Sequence, residues 1–243
     1  MGVVKMEVHC IWEHNGNDSL IYSDNFIGAF TRGASKDEAL YKMNTEIMSY
    51  LLWRDGMLPI HDETVEVTTV QEKVSTLQIA DADSDVLFES ERQPLTKNEY
   101  EVLKKLAIKS AQDFQLLFEA IPDKNLTSLQ ERETFYGKVP ITAQQMYDHT
   151  KGVNNYYFGE IGIDTDNNGN IVECRKRSFE QLESTQNYLN NKLFIGSYEE
   201  EWTLRKVCRR FIWHDRIHAK AMFKMACTTF GKETIPNIFS FSV

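Results

Sequence analysis

Two histidines four residues apart, His214 and His218, lie in a run from Trp202 to Met225 whose apolar residues recur at helical spacing. Positions Val207, Phe211, His214, His218, Ala221, Met222 and Met225 fall on one face, which is apolar except at the two imidazoles. The face is therefore expected to be the core side of a long helix. Burying two polar rings without partners costs on the order of a few kcal/mol, so something in the interior must satisfy them. A metal ion is one such partner, and a tyrosine hydroxyl or a carbonyl is another.

Three more helices are predicted in the same half of the chain. Thr96 to Ile121 carries Leu103, Leu106, Ser110, Phe114, Leu117 and Ile121 on one face. A second helix follows Pro140, with Thr142 able to cap it and Met146, His149, Val153 and Tyr156 or Tyr157 as its stripe. A third is expected from Ser178 to Phe194. Four amphipathic helices of these lengths specify a four-helix bundle.

His149 thus shares an apolar stripe with its own helix, as His214 and His218 do with theirs. Three histidines converging from facing helices supply the three-nitrogen set of a catalytic metal, leaving positions open to water or substrate. The HExxH of a zinc protease is missing: Asp215 follows His214, and on a helix it points away from the face of the pair. His9, His14 and His61 read as surface residues.

Between the second and third helices, Asp164 to Glu173 (DTDNNGNIVE) matches the front of a calcium loop through Asp164, Asp166, Asn168 and Gly169. Arg175 stands where the bidentate glutamate belongs, so a hairpin turn at Asn168 and Gly169 is the expected use of these residues.

The first 93 residues alternate strand and helix signals. Val3 to Trp12 and Leu20 to Thr31 read as strands around a turn at His14 to Ser19. Ser35 and Glu38 form a capping box for a helix with Leu40, Met43, Ile47, Tyr50 and Leu51, ending near Gly56. Glu63 to Val70 alternates with period two, and Ser75 to Ile79 and Asp85 to Glu89 are candidate short strands. The order is β-β-α-β. The polar stretch Glu89 to Pro94 separates a small α/β domain, 1–93, from the helical domain, 94–243, in an α+β chain.

Charge and cysteine usage narrow the partners. With 36 acidic against 27 basic side chains, the chain lacks the basic surface that tracks nucleic acid. The cluster Arg205, Lys206, Arg209 and Arg210 is expected to be a solvated helix face. Cys10, Cys174, Cys208 and Cys227 form no CxxC pair, as expected of reduced thiols, and Cys208 lies about 120° around the helix from His214, which disfavours a Cys–His dyad. No signal peptide or membrane-length apolar run is visible, so a cytoplasmic location and no membrane partner are expected.

The stretch FIGAFTRGASKDEALYKMNTEIMSYL resembles the small HicB-like α/β domain over about 60 residues. His149 within TAQQMYDHTKGVNNYYFGEI, the sequence Trp202-Thr-Leu-Arg205 opening the last helix, and the HxxxH of His214 and His218 together resemble the DinB/YfiT-like superfamily over residues 94–243. That resemblance implies a four-helix bundle with a divalent ion, zinc or nickel foremost, on His149, His214 and His218. It also implies a possible homodimer. Among relatives it implies metal-dependent transfer or hydrolysis with a low-molecular-weight thiol cosubstrate such as bacillithiol or mycothiol.

Tyr156, Tyr157 and Glu160, one to three turns beyond His149, are candidates for a proton donor or a partner of the ligands. The expected ligand is a small molecule or thiol. The alternative is a non-catalytic module that senses a metal or ligand, or engages a protein; a third reading has the histidines as satisfied core residues.

Overall fold

A computed structural model describes residues 5–57 and 64–242; His61 lies outside them. The fold is α+β. The chain divides into two compact units, Met1–Glu91 with Ser240–Ser242, and Arg92–Phe239.

In the first unit, β1 (Lys5–Asn15) and β2 (Asp18–Ser23) form a hairpin through Gly16 and Asn17, where Gly16 takes the left-handed backbone (φ 59°) that a two-residue turn needs. The stretch read as one strand from Leu20 to Thr31 is broken at Asp24–Ala29, so β3 (Phe30–Gly33) is a separate strand. Asn25 causes the break: its side chain accepts from the His9 amide and donates to the Glu7 carbonyl, groups that a continued ladder would have used. The order before the helix is therefore β-β-β, one strand more than expected.

Helix α1 (Lys36–Asp55) starts at Ser35, whose side chain accepts from the Glu38 amide, while the Glu38 carboxylate accepts from Ala34. Gly33 lets the chain turn into it, since a Cβ there would lie 2.8 Å from the Ala39 nitrogen and 2.9 Å from the Ser35 oxygen. Met43, Ile47, Tyr50 and Leu51 are buried as the periodicity requires. Strand β4 (Thr64–Val74) then pairs parallel to β1, giving the sheet order β3-β2-β1-β4.

The two short strands expected at Ser75–Ile79 and Asp85–Glu89 are absent. Their place is taken by irregular chain with a 3₁₀ turn at Ile79–Asp81. Val86, Leu87 and Phe88 are all buried rather than alternating, and the Gln71 side chain serves both the Leu87 carbonyl (3.0 Å) and the Glu89 amide (2.9 Å), replacing a partner strand.

In the second unit α2 (Lys97–Ala120) and α3 (Ala143–Gly159) begin at complete capping boxes, Thr96 with Glu99 and Thr142 with Gln145. The segment between them carries a small hairpin, β5 (Glu133–Thr134) and β6 (Gly137–Lys138). Helix α4 (Ile171–Glu183) begins seven residues before the expected start. Asn170 caps it through the Val172 and Glu173 amides, and Glu173 completes the box, so the Asn-Gly run is a helix entry and not a hairpin turn. The end comes at Ser184, well short of Phe194, and a second small hairpin, β7 (Phe194–Ile195) with β8 (Glu201–Trp202), leads into α5 (Leu204–Phe230). Each of α2 and α3 packs against both α4 and α5.

Among the described residues, no helix is long and apolar enough to cross a membrane.

Candidate metal centre

Helix α5 places His214 and His218 one turn apart, and α3, packed against it, delivers His149. The ring centroids lie 4.3 Å apart for His214 and His218, 4.6 Å for His149 and His218, and 5.2 Å for His149 and His214. One nitrogen from each ring lies within 4.8 Å of the others. An ion with about 2.0–2.1 Å bonds needs nitrogens about 3.3 Å apart in tetrahedral geometry, so modest side-chain rotation closes the set. His149 stands at the exposed edge, His218 is half-buried and His214 is buried.

Electrostatics favour the metal-binding form. Burial, then the neighbouring imidazoles, then the Arg210 and Arg175 guanidiniums hold the pKa of His214 well below the ordinary histidine value. Desolvation lowers that of His149 as well. Both rings are therefore neutral at pH 7, and a neutral imidazole has a lone pair to give. The buried Nδ1 of His214 has no hydrogen-bond partner. Three neutral-imidazole donors within reach of one another, one of them on a ring that carries a buried nitrogen with no partner, fit a divalent metal.

Aromatic rings pack around His214. Tyr157 stands edge-on to His214 at 5.9 Å and packs against Phe211 and Trp202, while Trp213 lies 6.3 Å from His214. Of the three other candidates named from sequence, Tyr157 is thus brought to the histidines. Tyr156 packs against Trp202 instead. Glu160 turns to the β7–β8 loop, accepting from the Ser197 amide at 2.7 Å; a Cβ on Gly196 would collide with its Oε2.

Behind His214, Asp215 is fully buried and matched bidentately by Arg175 (3.0 and 3.2 Å), with Ser110 donating to Oδ2 at 2.5 Å. The guanidinium also donates to the Ala107 carbonyl and lies 3.8 Å over the Phe211 ring. Three helices are tied at this point. Arg175, assigned to a failed calcium loop from sequence, is a core residue of α4. The calcium reading meets a second obstacle in Arg177, which occupies Asp166 at 2.7 Å.

The basic cluster is not a solvated face either. Lys206 and Arg209 are buried, and Lys206 reaches Glu200 at 2.8 Å and the Glu201 carbonyl at 2.8 Å. Desolvation pushes its pKa down to about 8. Long aliphatic stems let such residues line a core when a carboxylate or carbonyl waits at the tip. A run of basic residues on a helix carries no mark of that partner, which is why sequence reading missed it.

No family model matches the chain, and no curated protein or solved structure matches it.

Proposed function

We propose that the second unit is a four-helix bundle of the DinB/YfiT-like kind, holding a divalent metal, zinc or nickel, on His149, His214 and His218. It would act as a metal-dependent transferase or hydrolase using a low-molecular-weight thiol or water. The observation that carries this reading is the convergence of three imidazoles from two helices, one nitrogen of each within 4.8 Å of the others. A bound divalent ion supplies Lewis acidity, which lowers the pKa of water or thiol to near neutrality.

The protein's own groups have separate tasks. Neutral His214 and His149 present lone pairs without a proton to displace. Tyr157 is buried, and desolvation raises its pKa, so its phenol stays protonated and can donate a hydrogen bond but not take a proton. Tyr157 and Trp213 pack near the buried His214 ring. The Arg175–Asp215 pair fixes the register of α5, and with it the spacing of both ligands, against α2 and α4.

Metal analysis of untagged protein equilibrated with zinc or nickel tests the reading. About one ion per chain is expected, falling below a tenth in His214→Ala and His149→Ala; wild type retaining no ion would end the proposal. Thiol transfer to monochlorobimane by the loaded protein, with bacillithiol or cysteine as donor, then separates an enzyme from a sensor, which would bind without turnover.

A further inference from the structure

The sheet of the first unit has two edges of different kinds. At one, β3 is four residues long, and the Lys42 ammonium donates to its Arg32 carbonyl at 2.9 Å. At the other, β4 runs for eleven residues and, among the described residues, pairs with β1 alone. An edge of that length offers a row of backbone donors and acceptors to any strand able to lie along it, and native sheets usually shorten or cover such edges. The side chains of Glu66, Val70, Glu72 and Val74 along it are more than half exposed.

The residues of β4 single out what suits this edge. Cys10 stands opposite Thr69 and Ile11 opposite Gln71, so β4 carries one residue more than β1, a bulge at Val70. Without the bulge, Glu66 and Lys73, seven residues apart, would point to opposite faces. With it, Glu66 is opposite Glu7 and Lys73 opposite Glu13, two β1 residues an even number apart, which sets both side chains on one face of the sheet.

The strand is thereby its own complement. Laid antiparallel along a second β4 with Thr69 opposite Val70, it pairs residues 65–74, and every pair outside the bulge lies on matching faces. Glu66 then meets Lys73 of the second copy, twice by symmetry, and Val65 meets Val74. A slip that sets Glu66 against Glu72 would put facing side chains on opposite faces and bring like charges together. Within one chain Glu66 meets Lys5 at 3.0 Å and Lys73 meets Asp85 at 3.5 Å, yet the Glu66 and Lys73 side chains remain 52% and 42% exposed. Exposed ion pairs of this kind hold weakly and yield readily to a second partner.

We infer that the chain forms a two-fold dimer through its β4 edges, the strands antiparallel and Glu66 of each copy against Lys73 of the other. The inference uses no residue of the histidine group and stands apart from the metal reading. One strand pair buries little side-chain area, so this is a weak, reversible interface with a micromolar dissociation constant.

Sedimentation equilibrium of the full chain, in EDTA to exclude bridging by metal, tests it over a range from about 5 to about 200 µM. Wild type should show a monomer–dimer equilibrium. Glu66→Lys and Lys73→Glu should each weaken the dimer tenfold or more by setting like charges together at both pairs, and Glu66→Lys/Lys73→Glu should restore it to within threefold of wild type. Both positions are exposed, so the variants should keep the wild-type circular dichroism. Wild type that stays monomeric at the highest concentration, a measurement that needs no variant to fold, overturns the inference. So does a dimer that both single variants leave as tight as before, which would place it on another surface, and so does a double variant no tighter than the singles.

Discussion

The Arg175–Asp215 pair is the residue whose removal the structure makes most costly. Both side chains are fully buried, and each satisfies the other's charge with good bidentate geometry. Deleting one partner strands a charge in the core, which typically costs about 3–5 kcal/mol, whereas replacing both with apolar groups of similar volume is often close to neutral. Asp215→Leu alone should therefore lower the urea-unfolding free energy by about that amount, and Arg175→Met/Asp215→Leu should recover most of it. Equal losses in single and double variants would mean that packing, not the stranded charge, sets the cost. Sequence reading placed Asp215 off the histidine face, where it is found, but could not name its partner. Arg175 lies 40 residues away in a stretch whose Asp, Asn and Gly residues suit a turn, an ion loop or a helix cap equally well.

At the scale of elements, legibility followed the strength of local signals. Helices α1, α2, α3 and α5 were readable because caps and a 3.6-residue period agree, as at Ser35 with Met43, Ile47 and Tyr50. Ser75 to Glu89 was not readable as chain, since short apolar runs do not distinguish a strand from an irregular segment held by side chains. What holds this segment is partly polar: Tyr22 donates to Ser84 at 2.7 Å, and Ser84 and the Asp85 amide donate to buried Glu13 on β1 at 2.5 and 3.2 Å. Burial pushes the pKa of Glu13 up to about 7, with Ser84 and the Asp85 amide opposing and the Asp85 carboxylate adding to the rise.

The folded value thus exceeds the ordinary 4.5, so the folded state binds the extra proton. The stability contributed by protonated Glu13 is full below pH 4.5 and is lost as pH climbs towards 7, at up to about 1.4 kcal/mol per pH unit. Glu13→Gln, which cannot ionise, should gain on wild type in urea denaturation between pH 4.5 and pH 8. A stability difference that stays flat across that range would assign the pH dependence elsewhere.

For the whole molecule, the division into two compact units decides how far an event at the histidines should be felt. Ion binding stabilises whatever folds with the site by RT ln(1 + [L]/Kd), about 2.7 kcal/mol at a hundredfold excess over Kd. His149 and His214 sit on α3 and α5, and these helices pack with α2 and α4 inside the second unit, whereas the β3-β2-β1-β4 sheet and α1 build their core from Val8, Leu20, Ile21, Met43 and Ile47. Amide hydrogen exchange followed by mass spectrometry should therefore slow on zinc addition in peptides from α3 and α5, least at their frayed ends, while peptides from β1, β2 and α1 keep their rates. His214→Ala should erase the difference between zinc-treated and untreated protein. Equal slowing in the sheet would show that the two units open as one cooperative block, and zinc-induced slowing that persists in His214→Ala would place the ion somewhere other than the three histidines.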